Sequence, residues 1–382
     1  MKLLSLFSGI GAFEKALKNA SVDYDLVGFS EIDKFAIKSY CAIHEVDESL
    51  NLGDVSSIDI NSLPKDIDII THGSPCQDYS VGGKGKGGDE GSGTRSSLMW
   101  HSVEIIRYCK PKYVVWENVK NVISKKHIHN FSKYINDLKE IGYTSYWKIL
   151  NAKDFGLPQN RERIYVVSIL DDEQAFEFPQ GFPLELKLKD ILEDSVEDKY
   201  YLSQEMQDRF FKFPQDRLNN ECLEVLGTTA PHPCDEKGNI KYSKSTSAWV
   251  YNPSKCISTL SARDYKQPKQ IIEVLPVRLG GVFDEEGKRH QAGSIYDKEF
   301  ISPTLDTMQG GWRQPLIVDG EVVTNFKIRR LNPLECWRLM GFSDDDFYKA
   351  KNVPTSDTQL YKQIGNSIAV PVLENIFKNL FK

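Results

Sequence analysis

The sequence predicts an α/β fold, a doubly wound, largely parallel sheet joined to a smaller, loop-rich, β-containing second domain. Three observations predict it. Through residues 1–170 short apolar runs alternate with helical spacing, the pattern of βαβ units. From about residue 171 that texture breaks into short pieces punctuated by Pro179, Pro183, Pro214 and Gly280-Gly281. After Arg329-Arg330 the helical spacing returns. The chain is therefore expected to divide as 1–170, 171–325 and 326–382, with the last segment rejoining the first domain.

The elements follow in order. Leu3 to Phe7 reads as a first strand, and Gly9-Ile10-Gly11 as the turn into a helix carrying Phe13, Ala16 and Leu17. Leu26 to Ser30 is a second strand, closed by Glu31. Asp66 to Thr71 is a third, running into Gly73-Ser74-Pro75-Cys76-Gln77. Leu98, Val103 and Ile106 share a helical face before the buried strand Lys112–Trp116, which ends at Glu117-Asn118. Tyr143–Leu150 and Arg163–Leu170 are two later strands, with 151–162 as the loop between them. Pro333 opens a helix that Gly341 stops, and Gly365-Asn366-Ser367 leads into an amphipathic terminal helix.

Composition narrows the function classes. At 382 residues, with 40% hydrophobic and 27% charged side chains, the chain is ordinary for a soluble, cytoplasmic protein. No apolar stretch approaches a membrane span, so no membrane partner is expected. The seven cysteines form no C-x-x-C pair and no zinc-type spacing, so no metal is expected. The net charge is −6, yet residues 241–330 hold 14 Lys and Arg against 10 Asp and Glu. That is a local excess of +4, as a nucleic-acid-facing module needs and as an ordinary solvated surface also shows.

Four constellations carry chemistry. Phe7-Ser8-Gly9-Ile10-Gly11 lies between a strand and a helix, where backbone N–H groups meet a ligand. Glu31, about twenty residues on, suits ribose hydroxyls. Glu14 replaces the third glycine of a dinucleotide fingerprint, which favours a nucleoside cofactor without a pyrophosphate; Asp54 then suits an adenine amino group. Cys76, at the tip of a buried strand, is placed as a thiolate nucleophile. Glu117 ends a neighbouring buried strand, where burial favours its protonated form. Arg161 and Arg163 alternate along one chain direction and suit an oxygen or a phosphate. Taken singly, each has a bland reading: a tight turn without a ligand, core filler, a capped carboxylate, a surface salt-bridge ladder.

Together these segments resemble the DNA (cytosine-5) methyltransferase family, of the bacterial or phage restriction-modification type. The matches run in the family's order: Phe7 to Gly11, Glu31, Gly53-Asp54, Pro75-Cys76-Gln77, Glu117-Asn118-Val119, Gln159 to Arg163, Arg329-Arg330-Leu331 with Pro333 and Glu335, and Gly365-Asn366-Ser367. The resemblance implies a Rossmann-like methyltransferase sheet with a target-recognition domain at 171–325. It implies S-adenosylmethionine as cofactor, S-adenosylhomocysteine as product, and Phe7, Ser8, Gly9, Gly11, Glu31, Ile32, Asp54, Pro75, Asn366 and Ser367 as the residues that bind it. It implies methyl transfer to carbon 5 of a flipped cytosine in duplex DNA through a covalent Cys76 adduct. Glu117 then binds the exocyclic amine and a ring nitrogen, Arg163 the carbonyl oxygen, and Arg161 the adjacent phosphate or the same pocket. Arg161 and Arg163 are expected to raise the thiolate fraction of Cys76.

Gln77, Ser80, Lys84, Lys86 and Arg95, in and beside the glycine-rich stretch 82–93, are expected on DNA. So are Arg263, Lys266, Gln309 and Arg313, beside the related segments Thr259-Leu260 and Thr304-Leu305. A monomer is expected, with a cognate restriction endonuclease as a possible companion. A tRNA cytosine methyltransferase and a non-catalytic DNA-binding regulator are the competing readings. Two residues depart from the family's pattern: Ser74, where an aromatic is common before Pro-Cys, with Tyr79 offered as substitute aromatic surface, and Trp116, where an aliphatic is often seen.

Overall fold

The computed structural model describes residues 1–76, 78–79, 87–171, 175–201, 203 and 331–382, and, between 204 and 330, residues 211–212, 225–228, 249–251, 256–258, 260, 269–274, 278–281, 294–297, 316–318 and 326–330. These fall into two compact units. The first comprises Met1–Glu193, Ser254–Pro268 and Asn332–Lys382; the second comprises Asp194–Pro253 and Lys269–Leu331.

The first unit is built on a six-stranded sheet. Its strands are β1 (Lys2–Leu6), β2 (Asp25–Ser30), β3 (Ile69–His72), β4 (Tyr113–Val119), β5 (Tyr143–Asn151) and β7 (Glu162–Leu170), in the spatial order β2-β1-β3-β4-β7-β5. The β2-β1-β3-β4 portion is parallel. β7 runs antiparallel to both its neighbours, so the sheet is mixed rather than uniformly parallel. The reversal arises because β5 and β7 are close in sequence, which permits antiparallel pairing without a helical crossover. β4 also runs further than the apolar run suggested, since pairing with β7 carries it through Glu117 and Asn118 to Val119.

The central strands are apolar on both faces, as a sheet covered on both sides requires. One face supplies Leu4, Leu6, Ile70, Val114, Trp116, Ile164 and Val166 to the main core. That core is completed by α3 (Met99–Cys109) and α4 (Ile128–Ile141). The other α-helices among the described residues are α1 (Ala12–Asn19), α2 (Lys34–His44), α5 (Pro333–Arg338), α6 (Asp344–Asn352), α7 (Asp357–Asn366) and α8 (Val370–Leu380). α8 packs against α1, so the end of the chain returns to its beginning. Local chemistry sets the boundaries. Asp33 caps α2 by accepting from Phe35 N at 3.0 Å, and Gly142 ends α4 at φ 112°. Asn332 and Glu335 form a reciprocal capping box at α5, with Pro333 in the first turn. Gly365 and Asn366 close α7, with Ser367 as its C-cap, and the chain then enters the terminal helix α8 through Ala369.

The expected loop 151–162 contains structure. A 3-10 turn at Ala152–Phe155 is followed by β6 (Gln159–Asn160), which pairs in parallel with β11 (Ile257–Ser258). The second unit is β-rich among its described residues. A five-stranded sheet runs in the order β16 (Phe326–Arg330), β12 (Gln270–Val274), β10 (Trp249–Tyr251), β9 (Val225–Thr228), β8 (Phe211–Lys212). A second sheet joins β13 (Arg278–Gly281), β14 (Ser294–Asp297) and β15 (Leu316–Val318).

Candidate active site

Two turns leave the carboxyl ends of adjacent parallel strands, β1 and β3, and the predicted site residues gather around them. In the first, Phe7, Gly9 and Gly11 all take left-handed backbone, at φ 53°, 58° and 80°. Gly11 is the N-cap of α1, and a Cβ there would overlap the His44 ring, whose Nε2 lies 3.1 Å from Ile10 O. At Gly9 and Gly53 nothing lies within 4 Å of where a Cβ would stand, so both backbones are open to a ligand.

Glu31 ties this turn to β2. Its Oε2 accepts from Gly9 N at 2.9 Å, and its Oε1 accepts from Ile32 N and Asp33 N at 2.8 Å each. Asn51 holds the neighbouring backbone, its Oδ1 accepting from Glu31 N and Gly53 N at 3.1 Å. Ser8 is anchored on Ser30 O through its N–H and its hydroxyl. Ile32, beside Glu31, is 69% exposed, an unusual position for a large apolar side chain. Asp54 Oδ1 caps the following turn through Ser56 N and Oγ. An open glycine backbone, a carboxylate with lone pairs to spare for hydroxyls and an uncovered apolar side chain fit a nucleoside such as that of S-adenosylmethionine.

The second turn follows the fully buried β3. His72 pairs with Trp116 across β3 and β4, and two residues further on Ser74 stands beside Asn118. The buried Ser74 hydroxyl accepts from Trp116 Nε1 at 3.0 Å and from Asn118 Nδ2 at 3.1 Å. The Ser74 carbonyl also accepts from Asn118 Nδ2, at 3.2 Å. Cys76 is a half-buried free thiol, and its carbonyl accepts from Tyr79 N at 3.0 Å. Tyr79 itself is wholly buried, edge-on to His127 at 5.2 Å, so it provides no substitute aromatic surface.

Glu117 and Arg163 are diagonal neighbours on one face of the β4–β7 pair, and Arg163 Nε lies 3.2 Å from Glu117 Oε1. Glu117 is only 8% exposed. Burial pushes its carboxyl above the ordinary value, outweighing the pull of Arg163 and then Arg161, so it takes up a proton more readily than an exposed carboxylate. Cys76 feels the same cluster. Burial pushes its thiol up, Arg163 and Arg161 draw it down, and Glu117 adds to the rise. The balance is upward in spite of the two arginines. Their charge acts in the expected direction, but desolvation of the sulfur is larger.

Arg161 is buried and its terminal nitrogens are occupied, NH1 by Leu260 O at 2.9 Å and NH2 by Ser367 O at 2.6 Å. Its Nε has no hydrogen-bond partner among the described residues. Burial and Arg163 bring the guanidinium down to about 9. Gln159, matched in the sequence but given no role there, completes the clamp by accepting from Leu260 N at 3.0 Å and donating to Leu339 O at 2.8 Å. Asn366 is exposed and Ser367 buried, at the end of α7. Arg95 is exposed at the start of the 3-10 turn before α3. Gln77, Ser80, Lys84, Lys86, Arg263, Lys266, Gln309 and Arg313 lie outside the described residues, as do Thr259, Thr304 and Leu305. Among the described residues no helix is long and apolar enough to cross a membrane.

Comparison with known proteins gives the family. The family model for C-5 cytosine-specific DNA methylase matches residues 1–382. The orphan methyltransferase M.SPRI of Bacillus phage SPR is 37% identical over 442 residues, covering 100% of this chain and 97% of the relative. The type II methyltransferase M.HhaI of Haemophilus parahaemolyticus is 31% identical over 383 residues, covering 100% and 94%. Among solved structures, the Entamoeba histolytica methyltransferase EhMeth superposes with a TM-score of 0.67 at 17% identity, covering 100% of this chain and 98% of that one, a likeness of fold. With a cysteine, a buried carboxyl group and two arginines collected at the sheet edge beside a nucleoside-shaped turn, the chain belongs to the C-5 cytosine-specific DNA methylase family and is a DNA cytosine methyltransferase.

Proposed function

We propose that this chain methylates carbon 5 of a cytosine flipped out of a specific short duplex sequence, through a covalent adduct with Cys76. The observation that carries the reading is the cluster of Cys76, Glu117 and Arg163, in which a thiol, a carboxyl group held toward its neutral form and a guanidinium share one electrostatic neighbourhood. The Phe7–Gly11 turn with Ser8, Glu31, Ile32, Asp54 and Pro75, together with Asn366 and Ser367, would hold S-adenosylmethionine, which would supply the methyl group, with S-adenosylhomocysteine as product.

The chain's own residues do the rest. Cys76 Sγ, as thiolate, adds to carbon 6 of the ring, which makes carbon 5 a nucleophile. Protonated Glu117 donates to the ring nitrogen between the carbonyl and the amine-bearing carbon, and its second oxygen accepts from the exocyclic amine. Arg163 donates to the ring carbonyl oxygen, where negative charge develops. Arg161, its terminal nitrogens already engaged, acts through its charge and by holding the pocket wall. After transfer the carbon 5 proton passes to water, and elimination regenerates the Cys76 thiolate.

The base must leave the duplex to reach Cys76, at a cost of a few kcal/mol. Gln77, Ser80, Lys84, Lys86 and Arg95 are assigned to the DNA around the vacated position. Residues 171–325 are assigned to target reading, with Arg263, Lys266, Gln309 and Arg313 as its contacts. The chain acts as a monomer in this reading, with or without a cognate endonuclease.

Bisulfite sequencing of DNA from cells expressing wild type and Cys76→Ala tests the proposal. Wild type is expected to leave methylcytosine at one short recurring sequence and the variant none. Equal methylation in both overturns the covalent mechanism.

A further inference from the structure

Ser74, just past the end of β3, and Trp116, in the neighbouring β4, are joined by a hydrogen bond. Trp116 is wholly buried, stacked on His72 at 5.9 Å and on Phe131 at 6.1 Å, with Tyr134 tilted against it at 4.6 Å. His72 is itself fixed by Tyr134, Nε2 to hydroxyl, at 2.9 Å. The indole therefore has one orientation, and its N–H, a donor that burial obliges to find an acceptor, points at one place. Ser74 Oγ occupies that place at 3.0 Å.

Asn118 closes the arrangement. Its Oδ1 accepts from Val119 N at 2.8 Å, which fixes the amide, and its Nδ2 then reaches both the hydroxyl and the carbonyl of Ser74. Two lone pairs on one oxygen receive two donors from β4. Pro75 follows, with its φ locked and with Ser74 confined to extended backbone before it. Little freedom remains between the anchored Ser74 oxygen and the Cys76 sulfur.

We propose that Ser74 is a positioning residue for Cys76, fastening the nucleophile's turn to the rigid Trp116 ring so that the thiol is held beside Glu117 and Arg163. The hydroxyl at residue 74 gives the buried indole N–H the acceptor it needs. The proposal rests on the reading of Cys76 as nucleophile.

The test compares wild type, Ser74→Ala, Trp116→Phe and the double variant. Single-turnover methyl transfer, KM for DNA, and alkylation of Cys76 by iodoacetamide across pH, read by mass spectrometry of the Cys76 peptide, are measured for each. Ser74→Ala removes one atom from a buried site and is expected to fold. It should slow methyl transfer by about tenfold to a hundredfold, the scale of a small misplacement of a reacting group, with KM for DNA within about twofold of wild type. The pH profile of Cys76 alkylation should move as well. In the Trp116→Phe background, which has no indole donor, adding Ser74→Ala should change the rate by less than about threefold, because the two residues act as a unit. Wild-type rate and alkylation profile in Ser74→Ala overturn the proposal, and so does a double variant that multiplies the two single losses. A wild-type protein that fails to methylate cytosine defeats the functional reading instead, and the alkylation profiles alone then decide the role of Ser74.

Discussion

The turn after β1 and the turn after β3 leave neighbouring parallel strands, yet they are held by opposite means. The first is made of backbone: three left-handed residues in five, Phe7, Gly9 and Gly11, with Glu31 accepting from the turn. The second has no positive φ from Gly73 to Cys76 and is made of side chains, Ser74, Trp116 and Asn118. The difference follows from what each turn presents. On the proposed reading a nucleoside meets the first turn's open backbone, where side chains must be absent. A thiol must be aimed, so the residues before it are fastened to a rigid partner.

The largest expected effect breaks the backbone-built turn. Gly11→Ala places a Cβ on a left-handed backbone and into the His44 ring. Strain and overpacking together should destabilise the fold by about 2–5 kcal/mol. Gly9→Ala, also left-handed but facing open space, should cost only about 1–2 kcal/mol from strain while weakening S-adenosylmethionine binding. Urea unfolding and calorimetric titration of the two variants separate these effects. Equal stability losses would show that the His44 contact does not distinguish the two glycines.

The same contrast explains what was legible in the sequence. Gly9 and Gly11 announce themselves because left-handed backbone selects glycine, and Glu31 follows at a spacing set by one βαβ crossover. Cys76, Glu117 and Arg163 were readable because their chemistry is specific and each falls at a strand end. The Ser74–Trp116 bond was not, since its partners stand 42 residues apart and meet only through the register of β3 against β4. The signal available was that two unusual residues occurred together. The backbone partners of Arg161 were hidden for a similar reason: Leu260 and Ser367, which occupy its nitrogens, are 99 and 206 residues away. The burial that dominates the Cys76 thiol was not legible because charge is visible in a sequence and desolvation is not. The antiparallel β7 was hidden because an apolar run carries no direction.

A second, smaller effect sharpens the comparison through pH. A histidine lies beneath each turn. His72, under the side-chain-built turn, is pushed down to about 3 by burial alone, and its Nδ1 has no partner among the described residues. His44, under the glycine turn, is also lowered by burial, but the nearby Glu14 carboxylate draws it back up. A histidine whose folded value is depressed contributes stability that is present above the unfolded value of 6.5 and lost as pH falls toward the folded one. Wild type should therefore lose about 2 kcal/mol through His72 between pH 6.5 and pH 5. His72→Gln, which keeps a hydrogen-bonding group for Tyr134 without titrating, should flatten that part of the urea stability profile. An unchanged slope in the variant would place the acid sensitivity elsewhere.

The smallest effect concerns the thiol itself. Glu117 raises the Cys76 thiol and Arg163 lowers it, so removing each charge should move Cys76 in opposite directions. Glu117→Gln is expected to speed iodoacetamide labelling of Cys76 at pH 8, and Arg163→Gln to slow it, each by less than about tenfold, because the thiolate alone is the nucleophile. Both variants leave the Phe7–Gly11 turn and Glu31 untouched, so S-adenosylmethionine affinity should stay within about twofold of wild type. Labelling that shifts the same way in both variants would mean that packing around the sulfur, rather than the opposed charges of Glu117 and Arg163, sets its reactivity. With opposite shifts and unchanged cofactor affinity, the two turns titrate independently, and the thiol is tuned by the β4–β7 face while the nucleoside turn keeps its shape through backbone alone.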